Sequence, residues 1–167
     1  MKRLFRTFAL GLLLTASALS HAGALSDYLE NKVIDYVLRG QAFTAPTNVY
    51  FALATSTGSD VACGTEVTGG SYARVTVASS MANWAGTQSA GSTTASSGTG
   101  GTTSNNGTVT FPAPTANWGV VTEYCVFDAS TAGNLLWRAA LTTSKTINNG
   151  DAAPSFAAGA ATLQIDN

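Results

Sequence analysis

Tyr72-Ala73-Arg74-Val75-Thr76-Val77-Ala78 is the stretch that decides the fold class. Tyr72, Arg74, Thr76 and Ala78 alternate with Ala73, Val75 and Val77, the two-residue period of a strand buried on one face. Similar runs stand on either side. Asn48–Ala54, Thr108–Phe111, Val120–Phe127, Asn134–Leu141, Ser144–Ile147 and Ala160–Ile165 all read as short strands. Asn-Gly pairs at 106–107 and 149–150 are strong turn signals between them. About seven short strands separated by turns predict a mainly β protein, an antiparallel β-sandwich of Greek-key or jelly-roll type.

One segment breaks the pattern. Ser26–Arg39 (SDYLENKVIDYVLR) has helical spacing: Leu29, Val33, Tyr36 and Val37 fall at i, i+4, i+7 and i+8, and Ile34 and Leu38 widen the stripe. Ser26 is a good N-cap, Asp27 and Glu30 sit near the positive end of the helix dipole, and Gly40 is placed to end the helix. An isolated helix of this length is marginal in water and must dock on something. Its own β-core is the expected target, with a neighbouring subunit as the alternative.

Upstream, Lys2, Arg3 and Arg6 precede an apolar run from Phe8 to Leu19, followed by the small-residue sites Ser20-His21-Ala22 and Ala22-Gly23-Ala24. This is the layout of a secretory signal peptide. The apolar run is shorter than the ~20 residues a bilayer crossing needs, so no stable membrane insertion is expected after cleavage. Residues 1–24 are therefore expected to be a leader cut after Ala24, and 25–167 a single domain.

Removing the leader takes three of the eight basic residues, none of the nine acidic ones, and His21, the sole histidine. The remaining chain is formally −4, so it lacks the basic excess that neutralises phosphates, and no nucleic-acid partner is expected. Without an imidazole there is no Ser-His-Asp or Cys-His mechanism and no His-based zinc site. The Gly98-Thr99-Gly100-Gly101 stretch is not followed by the Lys-Ser/Thr of a phosphate loop. Glu66, Glu123 and Asp128 remain a formal acid–base set, but solvated surface carboxylates are far commoner. Asp60, Glu66, Asn148, Asn149 and Asp151 offer oxygen ligands in loops without EF-hand spacing. No catalytic, cofactor-binding or metal-binding residue is expected, and the protein is read as no enzyme.

Charged residues make up 10% of the chain, against about 25% in an average soluble protein, while hydrophobics reach 45%. Such a low-charge, Ser/Thr/Gly-rich composition suits a β-rich surface or assembly protein. Cys63 and Cys125 lie in the exported portion, where a disulfide can form. It would close a loop of about 60 residues and contribute roughly 4 kcal/mol. Gly86–Gly107 is polar, uncharged and of low complexity, and reads as a flexible surface loop. Trp84 and Trp118 sit at loop–strand junctions, in the duplicated triplet Ala-Asn-Trp, where partial exposure would form a ligand surface. Trp137 lies in an apolar strand and reads as core.

Beyond these patterns, the chain after the leader resembles a family of small phage structural proteins of the tail fibre or virion type. The carrying segments are Ala24–Lys32 (ALSDYLENK) running on to Leu38-Arg39-Gly40, then Pro46–Leu53, Gly64–Val67 and Gly69–Arg74. Ala116–Gly119, Phe127–Ala129, Gly133–Leu136, Leu141–Ile147 and Asn149–Asp151 continue in order. The resemblance implies a non-enzymatic virion or tail-associated part with an N-terminal helix and a β-sandwich body. The leader and the cysteine pair depart from cytoplasmic virion assembly and imply a phage-type module recruited for export.

The function expected is thus a structural or assembly protein, exported to the periplasm, cell surface or medium, and virion-associated if the phage resemblance holds. It would form a homo-oligomer or join other structural subunits through Tyr28, Leu29, Val33 and Tyr36. The alternative is a secreted module binding a surface glycan through Trp84 and Trp118.

Overall fold

The computed structural model describes residues 24–165 apart from 90 and 99. The expected leader lies outside these residues, except for Ala24. The order is β1 (Ala24–Leu25), α1 (Asp27–Leu38), β2 (Asn48–Ala54), β3 (Val75–Ala78), β4 (Thr102–Ser104), β5 (Val109–Thr110), β6 (Gly119–Phe127), β7 (Leu135–Ile147), β8 (Ser155–Phe156) and β9 (Thr162–Gln164). Among the described residues the protein is mainly β with one helix near the N-terminus, and every strand pair is antiparallel.

Five strands form the main sheet in the order β1-β7-β6-β2-β3, and two ribbons, β4-β9 and β5-β8, make up the rest. β2 shows why the sheet is buried on both sides. Val49, Phe51 and Leu53 enter the large core with Phe111, Tyr124, Val126 and Leu163, whereas Ala52 faces a smaller cluster of Cys125, Phe127 and Leu135. In the large core Phe51 stacks between Trp84 and Tyr124, with ring centroids 5.8 and 6.0 Å away.

Several elements differ from the sequence reading. Asn134–Leu141 and Ser144–Ile147 are parts of one long strand, β7. Its pairing with β6 skips residues 141–144, passing from Glu123↔Ala140 to Val121↔Lys145. The alternation on β6 resets at this irregularity, so Val121 joins the large core while Glu123 turns to the opposite face beside Cys125. Residues 86–107, expected to form one flexible loop, contain β4 and the buried Ser104 and Asn105. Asn105 holds that end in place: its Nδ2 donates to Gly107 O and Ala157 O, and its Oδ1 accepts from Ala161 N.

Tyr124 is buried, and its hydroxyl donates to Thr162 O at 2.8 Å, tying β6 to β9. Burial pushes its phenol well above the ordinary value of 10. Tyr72 is raised too, mainly by burial and further by the Glu66 carboxylate. Above pH 10 the unfolded chain releases these protons while the folded chain keeps them, so stability is present below pH 10 and is lost as pH rises. The expected loss is up to about 1.4 kcal/mol per pH unit for each tyrosine. Urea titrations between pH 9 and 11.5 should show this slope, and Tyr124→Phe should make it shallower.

Candidate functional site

The site is built outward from Ser26. Ser26 is buried, its N–H donates to Leu136 O at 2.9 Å, and its Oγ donates to Leu135 O. The same Oγ accepts from Leu29 N at 3.3 Å, capping α1 as its sequence position predicts. Asp27 N donates to Asp60 O at 3.0 Å. The helix is thus clamped by its first turn to the edge of the main sheet. At the other end Gly40, with φ +67°, lets Gln41 N turn back onto Asp35 O at 3.0 Å.

Beyond the clamp the helix leaves the body. Leu29 is 6% exposed and Tyr28 packs against the large core, but Val33 is 44% exposed, Tyr36 60%, Val37 66% and Leu38 78%. Ile34 is exposed as well. The expectation that α1 docks its stripe on its own β-core holds only for the first turn, because β1 and Ser26 fix the helix start at the sheet edge. The four residues expected to act together divide accordingly. Tyr28 and Leu29 anchor the helix, and Val33 and Tyr36 join Ile34, Val37 and Leu38 in an uncovered apolar arc.

Behind the clamp lies a buried charge. Glu123 is 1% exposed, and its Oε2 accepts from Gly58 N at 2.8 Å and Gly64 N at 3.2 Å. Its Oε1 receives Arg138 Nη1 at 3.1 Å, and Arg138 Nη2 reaches Asp60 at 3.1 Å. A Cβ at Gly58 or Gly64 would collide with the backbone of Ala62 or Ser56, so the loop can close around the carboxylate only with glycine at both positions. Cys63, in the same loop, is disulfide-bonded to Cys125. Cys63, Glu123 and Cys125 lie close enough to suggest metal ligands, but the two sulfurs are bonded to each other, so neither can act as a thiolate ligand.

A second node lies around Arg74. Its guanidinium grips Glu66 at two points, 2.8 and 2.7 Å, and donates to Ala129 O and Ala132 O. It also stacks 3.6 Å from the Phe127 ring centroid. Tyr72 OH donates to Glu66 at 3.0 Å and accepts from Leu53 N at 2.9 Å. Asp128 accepts twice from Asn134 at 2.7 Å. Glu66, Glu123 and Asp128, the formal acid–base set, are thus each bound into structure. Of the candidate calcium ligands, Asp60 pairs with Arg138, Glu66 with Arg74, and Asp151 accepts from Asn148 N in its own turn. The segments Gly64–Val67, Gly69–Arg74, Phe127–Ala129 and Gly133–Leu136 all meet at or beside this node, although they lie far apart in the chain.

A family model, Podophage GP4 fiber I protein gp80, matches residues 24–164. The chain belongs to this phage fibre family. No curated protein matches it significantly.

In this fibre-family chain the two tryptophans expected to form a ligand surface part company. Trp118 is buried, its Nε1–H donates to Gly70 O at 3.0 Å, and it packs edge-on against Tyr72 at 5.3 Å. It is a core residue, because the junction it occupies folds under Gly69–Tyr72. Trp84 is half-buried and borders an open cavity of about 330 Å³ with Val49, Met81, Val126, Trp137 and Leu163. Among the described residues Trp137 Nε1 has no hydrogen-bond partner.

Sequence reading missed Asp60 and Arg138 as members of the clamp, since their pairing joins positions 78 residues apart. Ile34, Val37 and Leu38 were visible as helix-stripe residues, but periodicity alone cannot show that a stripe is left uncovered. No described helix is long and apolar enough to cross a membrane.

Proposed function

We propose that this chain is a non-enzymatic structural subunit, exported by its N-terminal leader, that assembles by packing α1 against α1 of further copies of itself. The observation that carries the reading is the apolar arc Val33, Ile34, Tyr36, Val37 and Leu38, exposed on a helix that, among the described residues, is clamped to the body by its first turn. Fully burying one such side chain contributes about 1.5–3 kcal/mol, so covering the five together works in favour of association against its entropy cost. A 12-residue helix projecting this way is marginal on its own, and self-packing would cover the arc and stabilise the helix together. Membership of a phage fibre family supports a part made to be repeated in an assembly. The positive n-region and apolar run before residue 24 lie outside the family match and support export.

The discriminating variant is Val33→Asp with Val37→Asp, leaving Leu29 in place. Sedimentation velocity should show the wild-type mature chain as an oligomer and the variant as a monomer with an unchanged circular dichroism spectrum. A monomeric wild type, or a variant that keeps the wild-type mass, removes α1 as the contact.

A second reading, a secreted module for surface glycans, is favoured by the open cavity bordered by the rings of Trp84 and Trp137. Flat aromatic walls suit the face of a sugar ring. A wild-type monomer that binds glycan in this cavity would favour that reading over assembly.

A further inference from the structure

We propose that the Cys63–Cys125 bridge is a redox switch on α1: closed, it fixes the loop that holds the first turn of the helix, and open, it releases that turn and weakens assembly. The assembly step rests on the α1 reading above, whereas the release of the helix does not. The bridge and the helix start share one row of the main sheet. Cys125 pairs with Arg138, and Arg138 with Ala24, two residues before the Ser26 cap. The loop that carries Cys63 touches this row along its length. Cys63 is bonded to Cys125 on β6, the Asp60 carboxylate accepts from Arg138 on β7 at 3.1 Å, and Asp60 O accepts from Asp27 N at 3.0 Å.

Ser59 and Ala62 exchange hydrogen bonds of 2.8 and 3.1 Å, so the residues from Asp60 to Cys63 move as one tight turn. Glu123 binds Gly58 N and Gly64 N on either side of this turn, and the bridge is its covalent hold. With the bridge open, the turn keeps its ion pair to Arg138, but Asp60 is 51% exposed there and such pairs hold weakly. Asp27 N then loses a fixed acceptor, and α1 starts from Ser26 alone. Cys63 is half-buried and Cys125 fully buried, so thiol exchange enters at Cys63. In closing, the Cys63 thiolate attacks the disulfide of an oxidant, releasing one thiol and forming a mixed disulfide. The Cys125 thiolate then attacks Cys63 Sγ and releases the second thiol. Two electrons pass to the oxidant, and the two cysteine protons end on its thiols.

The test is amide hydrogen exchange over residues 26–38, read by mass spectrometry, with sedimentation velocity on the same samples of exported protein. Cys63→Ala opens the bridge and keeps the Cys125 side chain in the core. Phe111→Ala weakens the large core with the bridge intact, which controls for general loss of stability. Wild type reduced with dithiothreitol, without denaturant, gives the same readout with no residue changed and serves if Cys63→Ala does not fold. Exchange over 26–38 should rise roughly tenfold when the bridge is open, the scale of one hydrogen bond lost, and stay near wild type in Phe111→Ala. The open form should also sediment as a smaller species than the oxidised wild type. Unchanged exchange in the open form, or an equal rise in Phe111→Ala, overturns the switch. Faster exchange with the wild-type mass retained overturns its effect on assembly. An oxidised wild type that is already monomeric overturns the α1 assembly reading, and the exchange contrast then decides the release of the helix by itself.

Discussion

Replacing Glu123 by alanine is expected to destabilise the fold by about 3–5 kcal/mol, the penalty typical of deleting one partner of a buried ion pair. The side chain is 1% exposed and serves three donors at once: Gly58 N, Gly64 N and Arg138 Nη1. Its loss strands two backbone N–H groups under the loop and leaves the Arg138 guanidinium with Asp60 alone, its Nε already without a partner among the described residues. Glu123→Gln is no neutral replacement, because every partner of the carboxylate is a donor and the glutamine NH2 must face one of them. It should cost less than alanine but more than a surface substitution. Urea unfolding measures both variants. A loss below about 1 kcal/mol for Glu123→Ala, the range of an exposed pair, would show that the network is not what holds residues 58–64.

Removing the Cys63–Cys125 disulfide should cost about 4 kcal/mol, because the bridge spans 62 residues and restricts the unfolded chain accordingly. Alanine at both positions is the cleaner test, since Cys125 is fully buried and a serine hydroxyl there would add its own penalty. The two losses should not add. Glu123 Oε2 lies 4.0 Å from Cys125 Sγ, and both hold the same loop against β6. Combining the alanine pair with Glu123→Ala should therefore cost measurably less than the sum of the separate effects. Full additivity would mean that bridge and carboxylate secure different structures.

What could be read from the sequence was local. The Ser26 cap, the Gly40 stop and the β character of Tyr72–Ala78 each depend on neighbours within a few residues, and the β class and the helix follow from them. Only Val75–Ala78 forms the strand, however, and the inward side switches from Tyr72 and Arg74 to Val75 and Val77. The cysteine pair was readable because only one pairing exists. The short strands β1, β4 and β8 were not, since two or three residues carry no period and their partners lie far away in the chain. The unity of β7 was hidden for a related reason: residues 141–144 lack β6 pairing although the strand continues. Trp118 looked like a junction residue until Gly70 supplied an acceptor 48 positions away. The apolar stripe of α1 was plain, but its docking depended on how Ser26 meets β7, and that contact spans 109 residues.

The same geometry divides the helix by role. Leu29→Asp should act on folding, because Leu29 sits in the core, whereas changes at Val33 and Val37 act on association. A double change at Leu29 and Val33 would therefore confound the two, which is why the assembly variant leaves Leu29 untouched.

The most direct measurement is sedimentation of the native culture supernatant, with the protein followed by antibody and the pellet viewed by negative-stain electron microscopy. Antibody-labelled filaments, tails or particles in the pellet are the expected result. Protein that stays entirely in the supernatant as a single small species would contradict assembly as its function.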